Sequence, residues 1–150
     1  MAEIIAQEFN VTMALKELKC VKFSLSQFAS ENKSRIDFES YRYEFTANTR
    51  VDSDKQSIIV LFIAKLFDKV GDDRNLISEI ETETFFHIQN FFDIVRIDNN
   101  TYLLPDQIIG ITAVIALSNT RGMLSLKLEG TPYSNSLIPL MDASQFMPAK

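Results

Sequence analysis

The chain has 150 residues, of which 46% are hydrophobic and 23% charged, with a net charge of −5. That length suits one domain able to bury roughly 70% of its unfolded surface, and the apolar content excludes a chain disordered throughout. The balance is acidic and no Lys/Arg cluster occurs, so the footprint of a phosphate-backbone binder is missing and nucleic acid is not expected as a partner.

The first residues, MAEIIAQEFNVTMALKELK, carry Glu3 and Glu8, without a basic n-region or a long apolar h-region. They do not read as a signal peptide. With one cysteine, Cys20, no intrachain disulfide can form. Both features fit a cytoplasmic protein, with Cys20 as a small core hydrophobe. Two matches to the glycosylation acceptor pattern, Asn10-Val11-Thr12 and Asn99-Asn100-Thr101, are then coincidental.

Residues 12–28 alternate, with Leu18, Cys20 or Val21, Phe23 and Leu25 on one side. The pattern slips near Cys20, as a β-bulge would make it. Residues 29–34 form a polar loop. A second strand over residues 35–51 has Ile36 and Phe38 on one face, then Tyr41, Tyr43, Phe45 and Ala47 in the other register, with the phase change at Ser40. Residues 51–55 compose a turn. Residues 56–69 are apolar on both phases, which predicts a central strand covered on each face by a helix or a partner subunit. After a turn at 70–75, residues 76–91 alternate most clearly. Ile80, Thr82, Thr84, Phe86 and Ile88 share one face, and Glu79, Glu81 and Glu83 share the other.

Residues 91–100 connect onward, with a turn at Asp98-Asn99-Asn100. Pro105 and Asp106 suit the first turn of a helix. Apolar residues from Ile108 to Leu117 surround this helix nearly completely, so it must be buried or meet a partner. Ser118–Gly122 reads as its end, Met123–Leu128 as a short strand, and Ser136–Phe146 as a short amphipathic element. The dense apolar runs Ile58–Ala64 and Ile108–Leu117 are too short to span a membrane. The expected fold is α+β: an antiparallel sheet of four strands or slightly more, one long C-terminal helix on one face, and a short terminal element, within a single domain spanning residues 1–150.

Little in this pattern supports covalent chemistry. His87, the one histidine, lies among Phe85, Phe86 and Ile88 and reads as structural. One His and one Cys are too few for a Cys/His zinc site. No nucleophile elbow or phosphate-cradling glycine loop is present. The chain therefore reads as a non-enzyme without cofactor or metal. The Glu79/Glu81/Glu83 row places carboxylates ~6–7 Å apart along one sheet face. It is either a solvated surface or a docking face for a basic partner. The aromatics Phe85, Phe86, Phe91, Phe92 and Tyr102 cluster at the last long strand and its exit. They are either core or the lining of an apolar groove.

Several segments, in order, resemble the SecB family of protein-export chaperones. Leu18–Leu25, LKCVKFSL, is similar to the family's first strand, and Phe85–Phe91, FFHIQNF, to the end of its fourth. Leu103-Leu104-Pro105 is similar to the Leu-x-Pro that opens the family's long helix, and Thr120-Arg121-Gly122 to the Ser-Arg-Gly that closes it. Ile138-Pro139-Leu140-Met141-Asp142, with Phe146 beyond, resembles the proline and final amphipathic element. The chain departs from the family at Pro105-Asp106-Gln107-Ile108, which lacks the arginine of Pro-Tyr-Ala-Arg. It departs again in the helix–Arg-Gly interval, longer by about one turn, in an apparent inserted strand at 123–130, and in the absence of an acidic tail. Those departures suit a divergent member of the kind linked to toxin–antitoxin systems.

The resemblance implies four long strands, a long helix and a short terminal helix. It implies a homotetramer built as a dimer of dimers, with ATP-independent holding of unfolded clients in apolar grooves. By position, Phe85, Phe91, Phe92, Tyr102, Leu103 and Leu104 would line the groove, near the 29–34 loop. Glu79, Glu81 and Glu83 would face basic segments of the SecA motor or another partner such as an antitoxin. The helix would bury its stripe in the subunit and at the dimer–dimer contact. A small-molecule or lipid carrier with an apolar pocket, and an assembly subunit without chaperone activity, are the alternatives of other classes.

Overall fold

Ser57–Val70 is apolar on both phases, and in the computed structural model it is an inner strand with a neighbour on each side. The structure describes residues 12–26, 41–70, 73–134 and 136–148. The expected 29–34 loop, the Ile36/Phe38 register and the phase change at Ser40 lie outside them. In chain order the elements are β1 (Met13–Leu25), β2 (Tyr41–Asp52), β3 (Ser57–Val70), β4 (Asp73–Ile88), α1 (Phe91–Ile94), β5 (Arg96–Asp98), β6 (Thr101–Leu103) and α2 (Asp106–Lys127), followed by a 3-10 turn at Ala143–Phe146. The first four strands form one antiparallel sheet in the order β1-β4-β3-β2, and β5 and β6 form a separate hairpin. The fold is α+β.

Register decides which side chains share a face. β2 and β3 pair without interruption from Tyr41↔Asp68 to Asp52↔Ser57. β1 slips twice against β4, between Leu15 and Glu17 and between Cys20 and Lys22. The second slip is the bulge that the alternation near Cys20 predicts, with Val21 as the extra residue. It brings Cys20 and Phe23 to one face and leaves Lys19 and Lys22 on the other.

The core lies between one sheet face and α2. Ile58, Val60, Phe62, Ala64 and Leu66 of β3 and Ile80, Phe86 and Ile88 of β4 are buried there, with Thr82 and Thr84 among them. From α2 come Ile108, Ala113, Ala116, Leu117, Thr120 and Leu124. On the other sheet face Leu61, Ile63 and Phe67 are half-buried and Ile59 is buried. The full cover expected for β3 is thus supplied by a helix on one face only, among the described residues.

The end of the helix differs from the sequence expectation. Residues 118–122 do not stop it: α2 runs for 22 residues to Lys127, and Met123–Leu128 is not a strand. Leu117, Thr120, Leu124 and Leu128 keep helical spacing on the buried side past Arg121-Gly122. Gly122 is exposed, with nothing within 4 Å of where a Cβ would stand. The chain turns away at Gly130, whose φ is +81°. With this added length α2 is long and apolar enough to cross a membrane by length and composition, and 44% of that stretch is buried inside the protein. Beyond it, Tyr133, Ser136 and Ile138 are buried, and the Tyr43 hydroxyl donates to the Ser136 carbonyl.

Candidate functional site

Among the described residues β2 is a rim strand, and its helix-side residues Phe45, Ala47, Thr49 and Val51 are only half covered. The first turns of α2 pass above them and leave two clefts. One, of about 320 Å³, lies between Phe45, Ala47 and Thr49 on the strand, Ile109 and Ala113 on the helix, and Met141, Gln145 and Phe146 of the C-terminal segment. The other, of about 400 Å³, lies between Thr49, Val51, Ile109, Leu104 and the hairpin residues Asn100, Thr101 and Tyr102. Thr49 and Ile109 border both, so the clefts join into one trough along the rim. From Phe45 to Val51 the strand floor runs about 20 Å. No residue lining either cleft carries a charge. A third cleft of about 290 Å³ lies beyond Leu104, lined by Asp93, Ile94, Arg96, Leu103 and Pro105.

The hairpin that walls one end was not expected from the sequence. Its turn residues Asn99 and Asn100 have φ of 48° and 62°, the left-handed pair that a two-residue hairpin requires and that Asn tolerates. The Asn-Asn pair was the available signal, but three-residue strands are too short to show periodicity. The Tyr102 hydroxyl donates to Ser53 Oγ at 2.9 Å and ties the hairpin to the β2–β3 turn.

The expected groove residues divide. Tyr102 and Leu104 line the trough, and Leu103 lines the third cleft with Leu104. Phe92 is 62% exposed on α1. Phe91, edge-on to it at 5.1 Å, is 1% exposed and belongs to the core. One short helical turn sends these neighbours in different directions. Phe85 lies on the far sheet face, with Lys19 Nζ 5.2 Å above its ring. The pleat forces this, because Phe86 occupies the helix side. Sequence reasoning assigned Phe45 and Ala47 to a strand face without seeing that the strand is a rim, and it did not place Thr49, Ile109, Ala113, Met141 or Phe146 in the groove.

Glu79, Glu81 and Glu83 share the far face with Phe85. Lysines flank them: Lys65 stands opposite Glu79, Lys22 opposite Glu81 and Lys19 opposite Glu83. Lys22 Nζ lies 3.5 Å from Glu79 Oε2. The row is thus an interleaved set of charges rather than a uniform negative surface. His87 Nδ1 is 3.3 Å from the Lys55 carbonyl, and Cys20 is half-buried with its Sγ 3.7 Å from the Lys22 carbonyl. Among the described residues no three metal-ligating side chains come together. In comparisons with known proteins, the chain matches no family model and no curated protein.

Proposed function

We propose that the protein is an ATP-independent holdase of the SecB type, a divergent one, that keeps unfolded polypeptides from aggregating in the cytoplasm. The observation that carries this reading is the uncharged trough between β2, the start of α2, the β5–β6 hairpin and the C-terminal segment. Its lining, more apolar than polar but with Thr49, Asn100, Thr101 and Gln145 among it, removes nonpolar side chains from water without demanding a sequence. Its floor is long enough for several residues of an extended chain. Ile97, Leu103 and Phe92 extend the apolar surface outward, at 60%, 48% and 62% exposure. A small-molecule carrier would be better served by an enclosed pocket than by clefts opening along a rim.

The active form on this reading is a homotetramer. Every exposed residue of α2 from Gln107 to Leu126 is uncharged, and Ile111 and Leu126 are 44% and 72% exposed. Arg121 is half-buried, and a helix whose exposed positions carry no charge over that length suits a helix–helix contact between copies. The glutamate row offers partial complementarity to a basic partner, SecA or an antitoxin among them.

The deciding test is aggregation of an unrelated denatured protein, followed by light scattering without nucleotide. Suppression at near-stoichiometric amounts is expected. Thr49→Glu puts a carboxylate at the waist of the trough and should weaken capture by about tenfold or more. Suppression that is absent in the wild-type chain, or unchanged in a folded Thr49→Glu variant, would overturn the reading.

A further inference from the structure

Phe146 has the form of a guest in its own trough. It reaches in from the 3-10 turn, meets Phe62 of the sheet edge-on at 6.1 Å, and shares the cleft with Phe45 and Ile109. Its segment is loosely attached. Among the described residues Ile138 is the last buried one, and from Pro139 to Pro148 every side chain is exposed or half-buried. Among the described residues the hydrogen bonds of Asp142–Met147 stay within the segment: Gln145 Oε1 accepts from the Asp142 amide, Asp142 Oδ1 accepts from the Ser144 amide, and the turn closes on its own carbonyls. To the body it is held by apolar contact and by close approach at Gly110. A Cβ at Gly110 would stand 2.8 Å from the Ala143 carbonyl oxygen and 2.9 Å from Met147 Cε. The preceding residues are pinned instead, through buried Tyr133 and Ile138 and the Tyr43–Ser136 hydrogen bond.

We infer that the segment from Pro139 to Pro148 is an autoinhibitory strap hinged after Ile138, with Phe146 as an internal plug that an aromatic side chain of a bound chain displaces. The inference rests on the trough being the binding site. A strap with only internal hydrogen bonds can leave without orphaning a buried polar group. Its departure uncovers the face of Phe62 and lengthens the trough toward Tyr43. An aromatic side chain could make the same edge-on contact that Phe146 gives up.

The chain contains no tryptophan, so Phe146→Trp supplies a single reporter. An unfolded, tryptophan-free model protein should shift its emission to the red, and a version of that protein with every aromatic residue replaced by leucine should shift it less. Phe146→Ala and Gly110→Ala, which remove the plug or push the strap off, should each bind the dye anilinonaphthalene sulfonate several-fold more strongly than wild type, with far-ultraviolet circular dichroism unchanged. An emission unmoved by client that does bind would overturn the inference, as would wild-type dye binding in a folded Phe146→Ala chain. Failure of wild-type aggregation suppression, with dye binding raised in both variants, would sink the holdase reading and leave the plug standing.

Discussion

Thr82 and Thr120 meet between sheet and helix with their hydroxyl oxygens 2.7 Å apart, both fully buried. Thr120 donates to the Ala116 carbonyl at 2.6 Å, so its oxygen is left to accept from Thr82. Thr120→Val removes that acceptor and strands a buried donor, and we expect a loss of about 1–3 kcal/mol in urea unfolding. The double variant Thr82→Val/Thr120→Val should recover part of the loss, which a double-mutant cycle reads directly. Tyr133 is a second case. Burial, then the charge of Asp68, raises its pKa above the ordinary 10.0. The folded state therefore holds the phenol proton more tightly than the unfolded chain. Its contribution is complete below pH 10 and is lost as pH rises toward the folded value. Unfolding followed from pH 8 to 11 should show stability falling at the alkaline end, with a shallower fall in Tyr133→Phe.

The elements differ in how plainly the sequence announces them. β3 and β4 were legible because their alternation is long, and the bulge near Cys20 was legible because a phase slip has few other causes. The start of α2 follows from Pro105 and Asp106. Its end was misread because an Arg-Gly pair satisfies a local stop rule, while the buried stripe that overrides the rule continues on the far side of the glycine. The trough was legible at one end only, at Tyr102 and Leu104. Its other wall comes from a rim strand and a tail that touch the helix only after folding, and nothing in Thr49 or Phe146 alone marks them. Since Gly122 lies in an exposed helix interior with open space around it, Gly122→Ala should raise stability by about 0.5–1 kcal/mol, seen as a higher thermal midpoint.

At the scale of the molecule, the proposed contact between copies rests on the exposed positions of α2, none of which is charged from Gln107 to Leu126. Ile111→Glu and Leu126→Glu place charges on surface that is already exposed in the single chain. Folding of the protomer should survive, while the mass found by light scattering after size exclusion should fall below that of wild type. Equal masses would remove α2 from the contact between copies. The far sheet face bears on partner choice in another way: its interleaved lysines and glutamates predict weak, strongly salt-dependent attraction to a basic segment.

The two borders of the sheet are unequally guarded. Both carry charged residues, Lys16, Glu17, Lys19 and Lys22 in β1 and Arg42, Glu44, Arg50 and Asp52 in β2, but β1 is also broken by two bulges, a feature that discourages strands of other molecules from adding on. β2 pairs with β3 through twelve residues without a single irregularity and has no proline. If concentrated protein ever grows into fibres, propagation should begin at the Tyr41–Asp52 border, and a proline or lysine substituted there should delay the lag phase more than the same change in β1.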